Sequence, residues 1–263
     1  MKNLRIILMI LTMTLFSCSK AEDSPQPQQQ DEPEIETYDF TTFTFLSNGV
    51  ETKGKIYLPD SYITNQNLPA IYLIDYKEHG NWPVAKDEFE KVVDGVKQIE
   101  GFDALVVTLE EHLDIYSEPE DFQEYYDVFK NMTSYVDSIY TINNSRTFIG
   151  RGYEAGTVMM TLFLEDSASS VFDNFIATDS GDKFTDKVIK IIETDDFPKN
   201  KSNKKLHFSF SDSNDFDQCT TLINKINEKE YSWLQFESIK YNGYFPTMYD
   251  TAYADGLIYV FNE

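Results

Sequence analysis

Gly150, Gly152 and Gly156 punctuate "RTFIGRGYEAG" (Arg146 to Gly156), where a strand-forming pattern gives way to a helical one. On such a sharp turn a serine in Gly-x-Ser-x-Gly stands clear of strand and helix and can act as an acyl-transfer nucleophile. Here the middle position is Gly152, which has no side chain to offer. Tyr153 and Thr157 supply the hydroxyls beside it. A hydroxyl attacks only when a base takes its proton. The chain has three histidines: His79 in "YKEHGNW", His112 in "EEHLD" and His207 in "KLHFSF". His79 and His112 read as loop residues on one rim, and His207 as a core residue with a hydrogen-bonded ring nitrogen. None is an evident base for Tyr153 or Thr157.

Metal and cofactor chemistry has little to build on. "DSNDFD" (Asp212 to Asp217) suggests a calcium loop, which needs oxygen ligands at its first, third and fifth positions. The fifth is Phe216, so a helix cap is the better reading. No glycine-rich loop ends in Lys-Ser or Lys-Thr, which argues against a nucleoside triphosphate site. The cysteines are Cys18 and Cys219, without the spacing of a metal or redox pair. No cofactor and no metal are expected.

The elements that must hold the glycine turn follow from hydrophobic periodicity. "YDFTTFTFLSNGVETKGKIYLP" alternates at period two about Asn48-Gly49, a pair suited to a tight hairpin. "PAIYLIDY" (69–76) and "DALVVTLE" (103–110) are short apolar runs suited to strands buried on both faces. Helical spacing covers 87–99, with Phe89, Val92, Val93 and Val96 on one face, and then 121–140. After the turn, "AGTVMMTLFLE" predicts a helix and "NFIATDS" a strand. A helix over 182–193 and the strand "KLHFSFSD" come next. "DFDQCTTLINKINEK" is helical, "WLQFESIKY" is a strand, and "YDTAYADGLIYVFN" closes the chain as a helix. Strands alternating with helices imply a mostly parallel sheet covered on both faces.

In this order the pieces resemble the α/β-hydrolase fold, and within it the esterase family that includes ferric-enterobactin esterase and esterase D. "KIYLPDSYITNQNLPAIYLIDY", "SYVDSIYTINNSRTFIGRGYEAG" and "YADGLIYVF" carry the resemblance, over roughly Phe43 to Phe261. It implies an N-terminal antiparallel hairpin, a mostly parallel sheet with helices on both faces, and an elbow at the glycine turn. It also locates the departures. The serine position is Gly152, and Glu154 stands where the family has a small residue. Counting back from Gly256 to the histidine position reaches Phe245, between Tyr244 and Pro246. Only the acid has a candidate, Asp212 or Asp215 after the "LHFSF" strand. The resemblance therefore implies an esterase-like domain without nucleophile or base. In open α/β sheets the ligand crevice lies outside the carboxyl ends of the strands. Its expected rim is Tyr76, His79, Trp82, His112, Arg151, Tyr153, Glu154, Asp212 and Tyr244. Arg151, Tyr153, His79 and Trp82 are the expected ligand contacts, with Arg151 and Tyr153 at the surface. A sugar, an aromatic chelate or a peptide would suit them.

The N-terminus sets the location. Lys2 and Arg5 precede the apolar run Ile6 to Phe16, too short to span a bilayer and suited to a secretory signal. It ends in "LFSC", which resembles a bacterial lipobox with Cys18 as the lipidated residue. "SKAEDSPQPQQQDEPEIE" then lacks aromatics and is rich in Pro, Gln and acid, the composition of a solvated tether. An acidic tether beside such a cysteine also resembles the surface-export signals of Bacteroidota lipoproteins. The expected organisation is a signal over 1–17, a tether over 18–36 and one domain over 37–263. The membrane partner is reached through Cys18, and the outer membrane is the expected site. The formal charge of −23 argues against nucleic acid as a partner. The expected function is ligand binding at the cell surface, with a displaced-nucleophile ester hydrolase as the alternative.

Overall fold

Two strands open the fold, β1 (Phe40–Ser47) and β2 (Val50–Tyr57). Asn48 and Gly49 join them with φ of 50° and 81°, the positive values that a type I′ hairpin turn requires. The computed structural model describes residues 39–74, 88–110, 118–212, 215–243 and 248–262. The signal, Cys18 and the tether lie outside the described residues, as do Tyr76, His79, Trp82, His112, Tyr244 and Phe245.

Six further strands follow: β3 (Ala70–Leu73), β4 (Leu105–Leu109), β5 (Arg146–Arg151), β6 (Asn174–Thr178), β7 (Lys204–Ser211) and β8 (Leu234–Tyr241). They form one eight-stranded sheet in the order β1-β2-β4-β3-β5-β6-β7-β8. β2 runs antiparallel to both β1 and β4, and every later pairing is parallel. β3 and β4 are buried at every position, as their uninterrupted apolar sequences require.

The helices are α1 (Glu88–Gln98), α2 (Phe122–Ile139), α3 (Tyr153–Leu164), α4 (Asp182–Thr194), α5 (Phe216–Lys229) and α6 (Tyr249–Phe261). One buried cluster packs α2, α3, α4 and α5 against the sheet, and α1 and α6 close the opposite face over a second. The α2 stripe of Phe122, Tyr125, Tyr126, Phe129, Met132 and Val136 is buried, so these aromatics are core. α3 starts two residues earlier than its apolar pattern suggests, because the backbone at Gly152 turns directly into it. Every residue from Glu154 to Phe163 is buried, as expected of a helix apolar nearly all round. Just past the far end of α3, the Glu165 carboxylate accepts from the Tyr126 hydroxyl (2.5 Å), the Val171 amide (2.9 Å) and the Ser170 hydroxyl (3.0 Å). The helix that begins at the glycine turn is thereby fixed at its other end.

Candidate functional site

The glycine turn sits at the C-terminal edge of β5, in the middle of the parallel strands. Gly152 caps α3 with φ 59° and ψ −123°, a backbone region sparsely open to residues with a Cβ. Its amide donates to the Thr178 carbonyl at 2.9 Å, extending the β5–β6 ladder one residue past β5. A Cβ built at Gly152 would stand in open space, with only the Glu154 Oε2 as far off as 4.0 Å. The turn thus leaves room for a side chain at residue 152 that glycine does not supply.

Glu154 in the first turn of α3 is buried. Its negative charge lies where the helix amides and dipole favour one. Tyr153 points outward, 45% exposed, with its ring 5.5 Å from that of Phe184.

Arg151 departs from expectation. It is 7% exposed, with its guanidinium ion-paired to Glu88 of α1 and lying 4.4 Å over the Tyr249 ring of α6. Burial works against its charge, and the Tyr249 and Tyr253 hydroxyls with Glu154 more than offset this, so its pKa is raised. The side chain is therefore not at the surface, and it ties the end of β5 to α1 and α6. The reason lies in its partner: Glu88 is sixty-odd residues away in sequence, and nothing in "RTFIGR" reveals it.

At the end of β7, Asp212 is exposed and its carboxylate lies 2.5 Å from Lys240 Nζ of β8. Asp215 turns the other way. Its Oδ2 would come within 2.6 Å of any Cβ at Gly181, the residue that opens α4. His207 is fully buried inside β7, with Nδ1 at 3.0 Å from Glu237. Burial lowers its pKa against the pull of Glu237, and it is a core residue, as its setting in "KLHFSF" suggests. Cys219 is buried, with Sγ 3.3 Å from the Ser180 carbonyl and its thiol pKa pushed up by burial. No group of three or more potential metal ligands gathers among the described residues.

One acid escaped the sequence reading. Asp179 follows β6 directly, one residue past the partner of the Gly152 amide, and is 2% exposed. Its φ of 50° is left-handed, a region Asp tolerates better than most residues. One carboxyl oxygen accepts from the Ser211 amide at 3.0 Å, and the other lies 3.3 Å from the Ser211 hydroxyl. Burial pushes its pKa up to about 6, Asp215 adds to the rise, and the Ser211 hydrogen bonds work against it. The only hint in "NFIATDS" is an acid at a strand end.

No protein-family model matches the chain, and no curated protein matches it. Solved structures do. An IroE-like serine hydrolase from Shewanella oneidensis is 14% identical with a TM-score of 0.67, over 85% of this chain and 80% of its own. S-formylglutathione hydrolase FrmB from Staphylococcus aureus is also 14% identical, with a TM-score of 0.57 over 88% of this chain and 99% of its own. Siderophore hydrolase EstA from Aspergillus nidulans is 10% identical, with a TM-score of 0.58 over 85% and 94%. The fold is that of the α/β-hydrolase-like esterases.

Proposed function

We propose that this chain is a membrane-anchored lipoprotein of esterase-like fold that binds a ligand over the glycine turn without hydrolysing it. Gly152 carries the proposal. Holding a residue with a Cβ at its φ and ψ would cost on the order of 1–3 kcal/mol, a strain typical of functional sites. A serine nucleophile would justify that cost; glycine removes both the cost and the chemistry. The buried carboxylates Glu154 and Asp179 flank the turn, and Glu88 neutralises Arg151. An anion is disfavoured there, so the ligand is an uncharged, hydroxyl-rich molecule such as a glycan. Tyr153, exposed beside the turn, offers it an aromatic contact.

A fluorophosphonate probe tests inactivity, since stable labelling of the wild-type protein would mark an activated hydroxyl. Gly152→Ser is expected to show no burst of p-nitrophenol from p-nitrophenyl acetate, because a serine without a base is a weak nucleophile. A burst would reveal a base and favour an enzyme.

The alternative, an ester hydrolase with a displaced nucleophile, has one observation in its favour. Asp179, with a pKa raised to about 6, lies in the range where a carboxylate serves as a base near neutral pH. Wild-type labelling that disappears in Tyr153→Phe would support it.

Anchoring is tested separately. Cys18 is expected to carry the lipid, because a single acyl chain gives only marginal membrane binding and stable anchoring takes more than one. Radiolabelled palmitate should enter the wild-type chain in cells and be absent from Cys18→Ser. Equal incorporation in both would overturn the anchor.

A further inference from the structure

Asp179 is placed to do more than end a strand. Its amide donates to the Ser209 carbonyl at 2.8 Å, and its carboxyl receives the Ser211 amide and hydroxyl. The ends of β6 and β7 are therefore clasped through one side chain, next to the strand that leads into the glycine turn. Among the described residues, the titratable groups facing it are Asp215, at the start of α5, and the Cys219 thiol of the same helix. β7 contributes Ser211, and the start of α4 contributes Ser180, whose hydroxyl pairs with Thr185 at 3.0 Å. Asp215 is held close by its position against Gly181. Ionising Asp179 thus places a buried negative charge near a second carboxylate, with two Ser211 contacts to stabilise it.

We propose that Asp179 is a proton-operated clasp: protonated, it locks the ends of β6 and β7 beside the elbow, and ionised, it favours their local opening. The direction follows from linkage. Opening hydrates the carboxyl and returns it to its ordinary pKa of 3.8, against about 6 when closed. The closed form holds its proton more tightly, so the extra stability of the closed clasp is complete below the ordinary value. It is lost as pH rises from there through about 6. A difference of roughly two pKa units corresponds to about a hundredfold in the opening equilibrium. The clasp operates whether or not the crevice binds the ligand proposed above.

Hydrogen exchange of the Ser180 and Ser211 amides, normalised for intrinsic rates, reads the opening from pH 4.5 to 8. Protection in the wild type is expected to fall by about twenty- to thirtyfold across this range, because part of the step already lies below pH 4.5, while amides of β3 and β4 stay level. Asp179→Asn keeps the shape and an acceptor for the Ser211 amide, and should flatten the profile. Asp215→Asn removes the repulsion, and should move the step to lower pH without abolishing it. It carries the test on its own if Asp179→Asn does not fold. A flat wild-type profile, an unchanged step in Asp179→Asn or an unmoved step in Asp215→Asn would each overturn the clasp.

Discussion

Arg151→Met is expected to destabilise the domain by about 3 to 5 kcal/mol, the cost of leaving one member of a buried ion pair without its partner. Glu88 is buried in the first turn of α1, so the substitution removes the guanidinium that pairs with an interior carboxylate. The guanidinium's stacking over Tyr249 goes as well, with its own contribution on the order of 1 kcal/mol. For a domain of this size each kcal/mol lowers Tm by roughly 2–4 °C, which makes a fall of about 10 °C visible in a thermal melt. Arg151→Met with Glu88→Leu should recover much of the loss, because replacing both charges by apolar groups removes the unpaired one. A single variant that melts with the wild type would show that Arg151 is not held by Glu88. It would also reopen the reading of Arg151 as a surface contact for a ligand.

That outcome matters because Arg151 marks where sequence reasoning stopped. Alternation about Asn48-Gly49 fixes the opening hairpin, since only one face of such a strand is buried and the turn needs positive φ. The apolar runs that became β3 and β4 could only be strands covered twice. The helical stripes of α1 and α2 point to core because apolar side chains, valines in one and aromatics in the other, recur on one face. Each of these signals is local, carried within one element. Arg151 and Asp179 are set by contacts between elements: Glu88 of α1 for one, Ser211 of β7 for the other. A charged residue ending an apolar strand looks the same whether it faces water or an ion-pair partner. The shape of the elbow was legible because glycines at 150 and 152 meet a backbone requirement. The charge around it was not, because a guanidinium from the end of β5 and carboxylates from the starts of α1 and α3, the end of β6 and the residue before α5 come from separate elements.

Gly150 and Gly152 meet two different requirements, and their alanine variants should separate them. At Gly150 a Cβ would lie 2.7 Å from both the carbonyl carbon and the oxygen of Glu154, and 3.1 Å from the Ala155 nitrogen. These are backbone atoms of the first turn of α3, and no rotamer change removes them. Relief would need α3 to back away from β5. Its buried surface extends all round, and the Glu165 hydrogen bonds hold its far end. Gly150→Ala is accordingly expected near or above the top of the usual overpacking range, about 3 kcal/mol. At Gly152 there is room, with the nearest atom at 4.0 Å, so Gly152→Ala meets only backbone strain, on the order of 1–3 kcal/mol. Urea unfolding of the two variants should rank Gly150→Ala as the more damaging. The reverse order would mean that α3 can yield and that the elbow is held by its own backbone preference alone. The expected order would mean that the packing of α3 on β5 enforces the turn. A nucleophile could then be lost at Gly152 without the crevice losing its shape, which binding without catalysis requires.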